Sequence, residues 1–179
     1  MALQYAILAV LAHRDRTGYD LVSKMDGSVA NFWPATHQQI YHELKKMNSL
    51  GLVKFKRKVQ TEKPDKKVYS ITRTGKRTLK TWIEEPVAVT QAKDPLLIKL
   101  FAGHLVSRET LLKELLRHKE YHRAKLDEYQ RIEKAHFLDK AFPSNLLFQY
   151  LTLRKGIVYE EGWLKWYQEC RVKYFRSKE

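Results

Sequence analysis

The stretch Thr36-His-Gln-Gln-Ile-Tyr-His-Glu-Leu-Lys-Lys-Met-Asn-Ser-Leu-Gly-Leu-Val-Lys-Phe-Lys-Arg-Lys-Val59 decides the fold. Its first part has a helical period, with Ile40, Leu44 and Met47 falling on one side at about 100° per residue. Thr36 is a suitable N-cap, and Gly51 closes the helix. From Leu52 the pattern changes. Apolar and basic residues alternate through Lys58, as they do along a half-exposed strand. A polar turn holding Pro64 and Asp65 leads to a second strand, Lys67-Val-Tyr-Ser-Ile71, and Thr72-Arg-Thr-Gly75 opens another helix. Helix, basic hairpin, helix is the order of a winged helix-turn-helix.

On the helix from Thr36, the face opposite Ile40 carries Gln38, Tyr41, His42, Lys45 and Ser49, and Glu43 falls toward the core side. Such a face, short of carboxylates, suits a major groove. Glutamine pairs bidentately with adenine, histidine and tyrosine offer donors, and lysine reaches guanine or phosphate. The helix start, at Thr36 and His37, adds its positive dipole end. Around the hairpin stand Lys54, Lys56, Lys58, Lys63, Lys66 and Lys67, with too little apolar surface between them for a core strand. An isolated polar helix face or a charged edge strand would be unremarkable. Side by side they imply a contact with duplex DNA.

The bulk numbers agree. The chain has 179 residues and a net charge of +14, which points to a polyanionic partner without telling DNA from RNA or an anionic membrane. Residues 1–84 carry most of that excess, and the run from Lys54 to Lys67 is its densest part. The single cysteine, Cys170, allows no intrachain disulfide and fits a reducing cytoplasm. No apolar run approaches membrane-spanning length, and the first residues lack a secretory pattern. The expected setting is cytoplasmic, with no membrane partner.

Along the chain, residues 1–84 are expected to form the winged helix-turn-helix domain. An apolar helix runs from Ala2 to His13, Arg14 to Gly18 forms a turn, and a shorter helix runs from Gly18 to about Ser28. Asn31-Phe-Trp-Pro34 is a further turn, because Pro34 forbids a helix through it. Residues 85–93, with Pro86 and no helical period, are expected to link this domain to a helical one over 94–179. There, Asp94-Pro95 starts a helix reaching about Leu105. Ser107 caps a long helix to about Phe137, and Ser144 caps another to about Tyr174. These amphipathic helices cannot bury their apolar stripes alone, so the expected class is mainly α with a small β-hairpin, its C-terminal half a coiled-coil-like homodimerisation domain. The stripe residues are Leu111, Leu115 and Leu126 on one helix, and Leu147, Leu151, Ile157, Val158 and Leu164 on the other.

These residues resemble the PadR family of transcriptional regulators. The resemblance rests on Ile7-Leu-Ala-Val-Leu11, Thr17-Gly-Tyr-Asp-Leu21, Phe32-Trp33, Gln38-Gln-Ile-Tyr41 with Leu44, Gly51-Leu-Val53, and Lys63-Pro-Asp-Lys-Lys-Val-Tyr-Ser-Ile-Thr72 with Gly75. Phe32-Trp33, His37-Gln-Gln39 and the Lys63–Thr72 segment are most similar to the AphA-type virulence activators of that family. The resemblance implies a winged helix, a helical dimerisation domain, and a dimer on a two-fold-related operator. It places the DNA contacts at the start of the third helix and in the wing, here Thr36, His37, Gln38, Tyr41, His42, Lys45, Lys63, Pro64, Lys66 and Lys67. One position departs: Glu62 precedes Lys63-Pro64 where the family usually offers glycine, so the wing tip carries an acid.

Other signals point to ordinary packing. His118 and His122 have zinc-compatible spacing, but no further ligand clusters near them in sequence, and a solvated helix face is the expectation. Trp163, Trp166, Tyr167, Tyr174 and Phe175 read as a packed interface rather than an effector pocket, and a small-molecule effector is left unassigned. No Gly-rich phosphate loop, nucleophile elbow or paired-carboxylate pattern occurs, so neither an enzyme, a metal nor a cofactor is expected. The alternative from another class is a protein-interaction adaptor on a winged-helix scaffold, whose outward face should show larger apolar groups than Gln38, Tyr41, His42 and Lys45.

Overall fold

Helix α1 (Ala2–His13) is apolar almost all round, and it becomes the centre of the N-terminal core. Its Ile7, Leu8 and Leu11 are buried against Leu21 of α2 (Gly18–Gly27), and against Ile40, Leu44 and Met47 of α3 (His37–Ser49). The computed structural model describes residues 2–27, 33–59, 65–89, 93–137 and 144–175, without the side chains of 24–27 and 144–145. The expected inward Met25, the turn at Asn31-Phe32 and the break at Pro143 lie outside what is described. The chain forms two compact units, Met1–Thr90 and Gln91–Glu179.

In the first unit, β2 (Val53–Lys58) and β3 (Lys66–Ile71) form the antiparallel hairpin. A third strand, β1 (Arg16–Thr17), pairs with the far edge of β3, giving the order β1-β3-β2. The sequence pattern predicts only a turn over Arg14 to Gly18. Two residues are too few to show a period, and only the edge of β3 makes them a strand.

Gly51 ends α3 with φ +68°, a left-handed conformation that other residues adopt only at a cost. Helix α4 (Arg73–Glu84) starts at Thr72, whose Oγ1 accepts from the Gly75 amide at 3.0 Å and reaches the Gly51 carbonyl oxygen at 2.7 Å. Gly75 is required for a second reason: a Cβ there would lie 2.1 Å from the Leu52 carbonyl oxygen. The far end of α4 is held to α1 by Tyr5 and Trp82, stacked at 4.4 Å.

In the second unit, α5 (Pro95–Phe101) is capped by Asp94, whose Oδ1 accepts from the Leu96 amide at 2.8 Å. It stops earlier than expected, and a 3₁₀ turn covers Gly103–Leu105. Helices α6 (Arg108–His136) and α7 (Ser144–Tyr174) run antiparallel, as their pairings show. Leu115 clusters with Tyr167, His122 bonds Glu160, a Cβ on Gly156 would meet the Tyr129 ring, and Tyr150 bonds Glu133. This seam uses part of the stripe expected to face a partner, because Leu115, Leu126 and Ile157 are buried within the chain. Leu147, Leu151 and Val158 are exposed. Each long helix has two apolar faces, and periodicity alone did not say which one its own neighbour takes.

Candidate nucleic-acid interface

The start of α3 is built by a reciprocal cap. Thr36 Oγ1 accepts from the Gln39 amide at 3.2 Å, and Gln39 Oε1 accepts from the Thr36 amide at 2.8 Å. This occupies Gln39 and leaves its neighbours outward. Thr36, His37, Gln38, Tyr41, His42 and Lys45 are all exposed, while Ile40, Leu44 and Met47 beneath them are fully buried. Six of the sequence-derived candidates thus share one surface on a helix whose rotation and depth are fixed by its core.

Tyr41 is also fixed sideways. A Cβ on Gly18 would lie 2.7 Å from Tyr41 Cε1 and 3.1 Å from its hydroxyl, so the ring rests on the backbone that opens α2. Beyond it, burial pushes the Tyr69 phenol above its ordinary range, and Tyr41 adds to the shift. The first turn of α2 is closed by Thr17 and Asp20, with Thr17 Oγ1 donating to Asp20 Oδ2 at 2.7 Å. That bond, more than any other contact, holds the Asp20 carboxyl below the usual range. Next to this turn Tyr19 stands 73% exposed. Tyr19 is not among the candidates that the sequence pattern gives, and its one mark there is a large aromatic outside the apolar period of α2.

The wing concentrates positive charge by register. Arg57 is paired with Lys67, and Lys58 with Lys66. All four side chains are exposed. Like charges directly opposite across a strand pair destabilise it, so this end of the hairpin pays for its charge in folding and is arranged for an anionic partner. One cation has internal support: Lys67 Nζ lies 4.8 Å from the centre of the Phe55 ring. Lys63 and Pro64 fall outside the described residues. At the base of the wing Arg16 Nε is buried without a hydrogen-bond acceptor among the described residues.

In the second unit, His122 is not on a solvated face, which corrects the sequence expectation. It is buried, bonded through Nδ1 to the buried Glu160, and stacked on Trp163 at 3.9 Å. A cavity of about 430 Å³ beside it is lined by His118, Tyr121, Tyr159 and Trp163, among others. Among the described residues no group of three His, Cys, Asp or Glu is placed to hold a metal ion, and no helix is long and apolar enough to cross a membrane.

Known proteins carry the same architecture. Residues 7–81 match the model of the transcriptional regulator PadR-like family, and residues 92–174 match the virulence activator alpha C-terminal family. Rv1176c of Mycobacterium tuberculosis, assigned as a transcriptional regulator, is 35% identical over 94% of this chain and 95% of its own. The crystal structure of Bacillus subtilis PadR in complex with operator DNA superposes with a TM-score of 0.85 at 29% identity, covering 96% of this chain and 98% of that one. The Vibrio cholerae virulence activator AphA superposes with a TM-score of 0.76 at 34% identity, covering 96% of each chain. With a regulator of that identity matched along nearly its whole length, and the winged helix and helical second half both in place, this chain belongs to the PadR-like family of transcriptional regulators.

Proposed function

We propose that this regulator works in the cytoplasm as a homodimer that reads an inverted-repeat operator. Helix α3 enters the major groove and presents Gln38, Tyr41, His42 and Lys45 to base edges, while Thr36 and His37 at its start face a phosphate. The wing, with Lys63, Pro64, Lys66 and Lys67, tracks the neighbouring backbone or minor groove. Residues 1–84 bind DNA, 85–93 link, and 94–179 dimerise. The activity is binding rather than catalysis.

The observation that carries this reading is the juxtaposition in the wing. Arg57 and Lys58 oppose Lys67 and Lys66, in the same small unit as the exposed face of α3. A protein-contact surface has no need to oppose like charges in pairs across a strand register, whereas a polyanion turns the repulsion into attraction. Exposed Tyr19 follows directly on Gly18, against which the ring of Tyr41 rests, and is a further candidate for this contact. The operator complex of the Bacillus subtilis relative supports the assignment of the partner as duplex DNA. Two-fold symmetry in the protein asks for two-fold symmetry in the DNA, with recognition helices about 34 Å apart or a multiple of that.

The test is a mobility shift with a fragment of the DNA upstream of this protein's own gene, in the presence of excess random duplex. A shifted band that survives the competitor is expected. A band lost at the same competitor ratio for operator and random fragments would leave only non-specific binding.

A further inference from the structure

Helix α2 opens on Gly18, and nothing in the helix itself asks for glycine there. The φ of Gly18 lies outside the left-handed region, which among the described glycines only Gly51 enters. The turn is already closed by its neighbours. The Thr17 amide donates to Asp20 Oδ2 at 3.3 Å, and the Asp20 amide donates to Thr17 Oγ1 at 3.0 Å. Glycine gives up more backbone freedom on entering a helix than alanine does, so at this position it weakens α2. Its reason lies outside the helix.

That reason is the ring of Tyr41. Gly18 is buried, and a Cβ on it would stand 2.7 Å from Tyr41 Cε1, 3.1 Å from the hydroxyl oxygen and 3.2 Å from Cζ. At Gly75 the obstacle to a Cβ is a backbone carbonyl oxygen, so that glycine serves the fold. At Gly18 the obstacle is the far end of a side chain that is 47% exposed and has solvent to swing into. A methyl group at position 18 would therefore move the ring and leave the backbone in place. Carbon atoms in ordinary contact lie about 3.5–4.0 Å apart, which asks the ring to shift by about 1 Å. The root of the ring is fixed, because Ile40 and Leu44 on the same helix are fully buried. What Gly18 settles is the direction of the rest, out to the hydroxyl.

We infer that Gly18 is a positioning residue for DNA reading: it leaves open the seat in which the Tyr41 ring lies, and so sets where the Tyr41 hydroxyl meets the operator. This deepens the proposed role of α3 and rests on it. A hydrogen bond to a base edge weakens steeply once its distance and angle leave a narrow range. A ring displaced by the methyl group loses that geometry, while the phosphate contacts of the wing are untouched. The effect therefore falls on discrimination between sequences rather than on general affinity for DNA.

Fluorescence anisotropy of the full chain tests this, with labelled DNA from upstream of its gene and random duplex of the same length. Gly18→Ala is expected to lower the preference for the upstream DNA about tenfold, as Tyr41→Ala does, with the salt slope unchanged. Its thermal melt should be the same or slightly higher, since alanine is the better helix former. The double variant should be no worse than Tyr41→Ala alone, because without the ring the methyl group has nothing to displace. If Tyr41→Ala costs preference but Gly18→Ala does not, or if the two losses multiply in the double variant, Gly18 does not act through Tyr41. A lower melt on adding Gly18→Ala to Tyr41→Ala would also overturn the inference, because the glycine would then serve the fold. If the original protein shows no preference, or Tyr41→Ala keeps it in full, the reading role of Tyr41 falls first, and this inference with it.

Discussion

Replacing Lys66 with alanine should make the protein slightly more stable and bind DNA less well, and the two effects have one cause. Lys66 is paired with Lys58 at the open end of the hairpin, beside the Arg57 and Lys67 pair. Both members of its pair are exposed, and among the described residues neither takes part in a salt bridge. Removing one charge relieves a directly opposed like pair, worth a few tenths of a kcal/mol on the scale of cross-strand pairs. On DNA the same charge neutralises a phosphate in each half-site. Each lost contact flattens the plot of log K against log salt by about 0.9, so a dimer loses about 1.8. Between 50 and 200 mM salt, the unchanged protein should then lose about 12-fold more affinity than the variant does. Fluorescence anisotropy of a labelled operator across that range, with a thermal melt of the free protein, reads both effects. A variant with the original salt slope, or one that melts lower, would refute the reasoning, because the repulsion and the phosphate contact are both assigned to that one ammonium group.

Gln38→Ala or Tyr41→Ala should cost about 1–3 kcal/mol of operator preference for each base pairing lost and leave the salt slope nearly unchanged, as competition against random duplex would read. Equal losses on operator and random DNA would remove α3 from the reading role. Gly75→Ala should lower stability by several kcal/mol, because the added Cβ would stand 2.1 Å from a backbone oxygen, Leu52 O, that no rotamer change can move; a denaturant melt within error of the original would contradict that contact. The Glu114 carboxyl is held at about 2 by the bonded Arg117 and then Lys99, below its ordinary 4.5. A depressed carboxyl stabilises the fold above its unfolded value, and that contribution drains as pH falls toward the folded one. The stability gap between the original protein and Glu114→Gln should therefore be flat near neutrality and close between pH 4.5 and 2.

The readable parts of this fold were those with a period or a cap. Ile40, Leu44 and Met47 announce α3, the alternation after Leu52 announces β2, and Thr36, Ser107 and Asp94 mark helix starts with side chains that do cap them. Strand β1 was hidden because two residues carry no period, and it exists only through the edge of β3. The burial of His122 was hidden for a related reason. Its partner Glu160 is remote in sequence, and a polar pair inside a helical seam looks like two surface positions until the helices are laid together. At the candidate interface, the outward residues of α3 followed from the wheel. The opposition of Arg57 and Lys58 to Lys67 and Lys66 depends on hairpin register, which the turn could not specify. Tyr19 lies outside the apolar period of α2, a weak mark in a sequence because a lone aromatic is usually core, and its exposure is what sets it apart.

The central claim is that two copies of α3 read DNA together, and a hydroxyl-radical footprint on the DNA upstream of the gene tests it most directly. Two protected patches are expected on one face of the duplex, related by a dyad and centred about 34 Å apart or a multiple of that. A single protected patch without a dyad, fully formed at one chain per site, would contradict it.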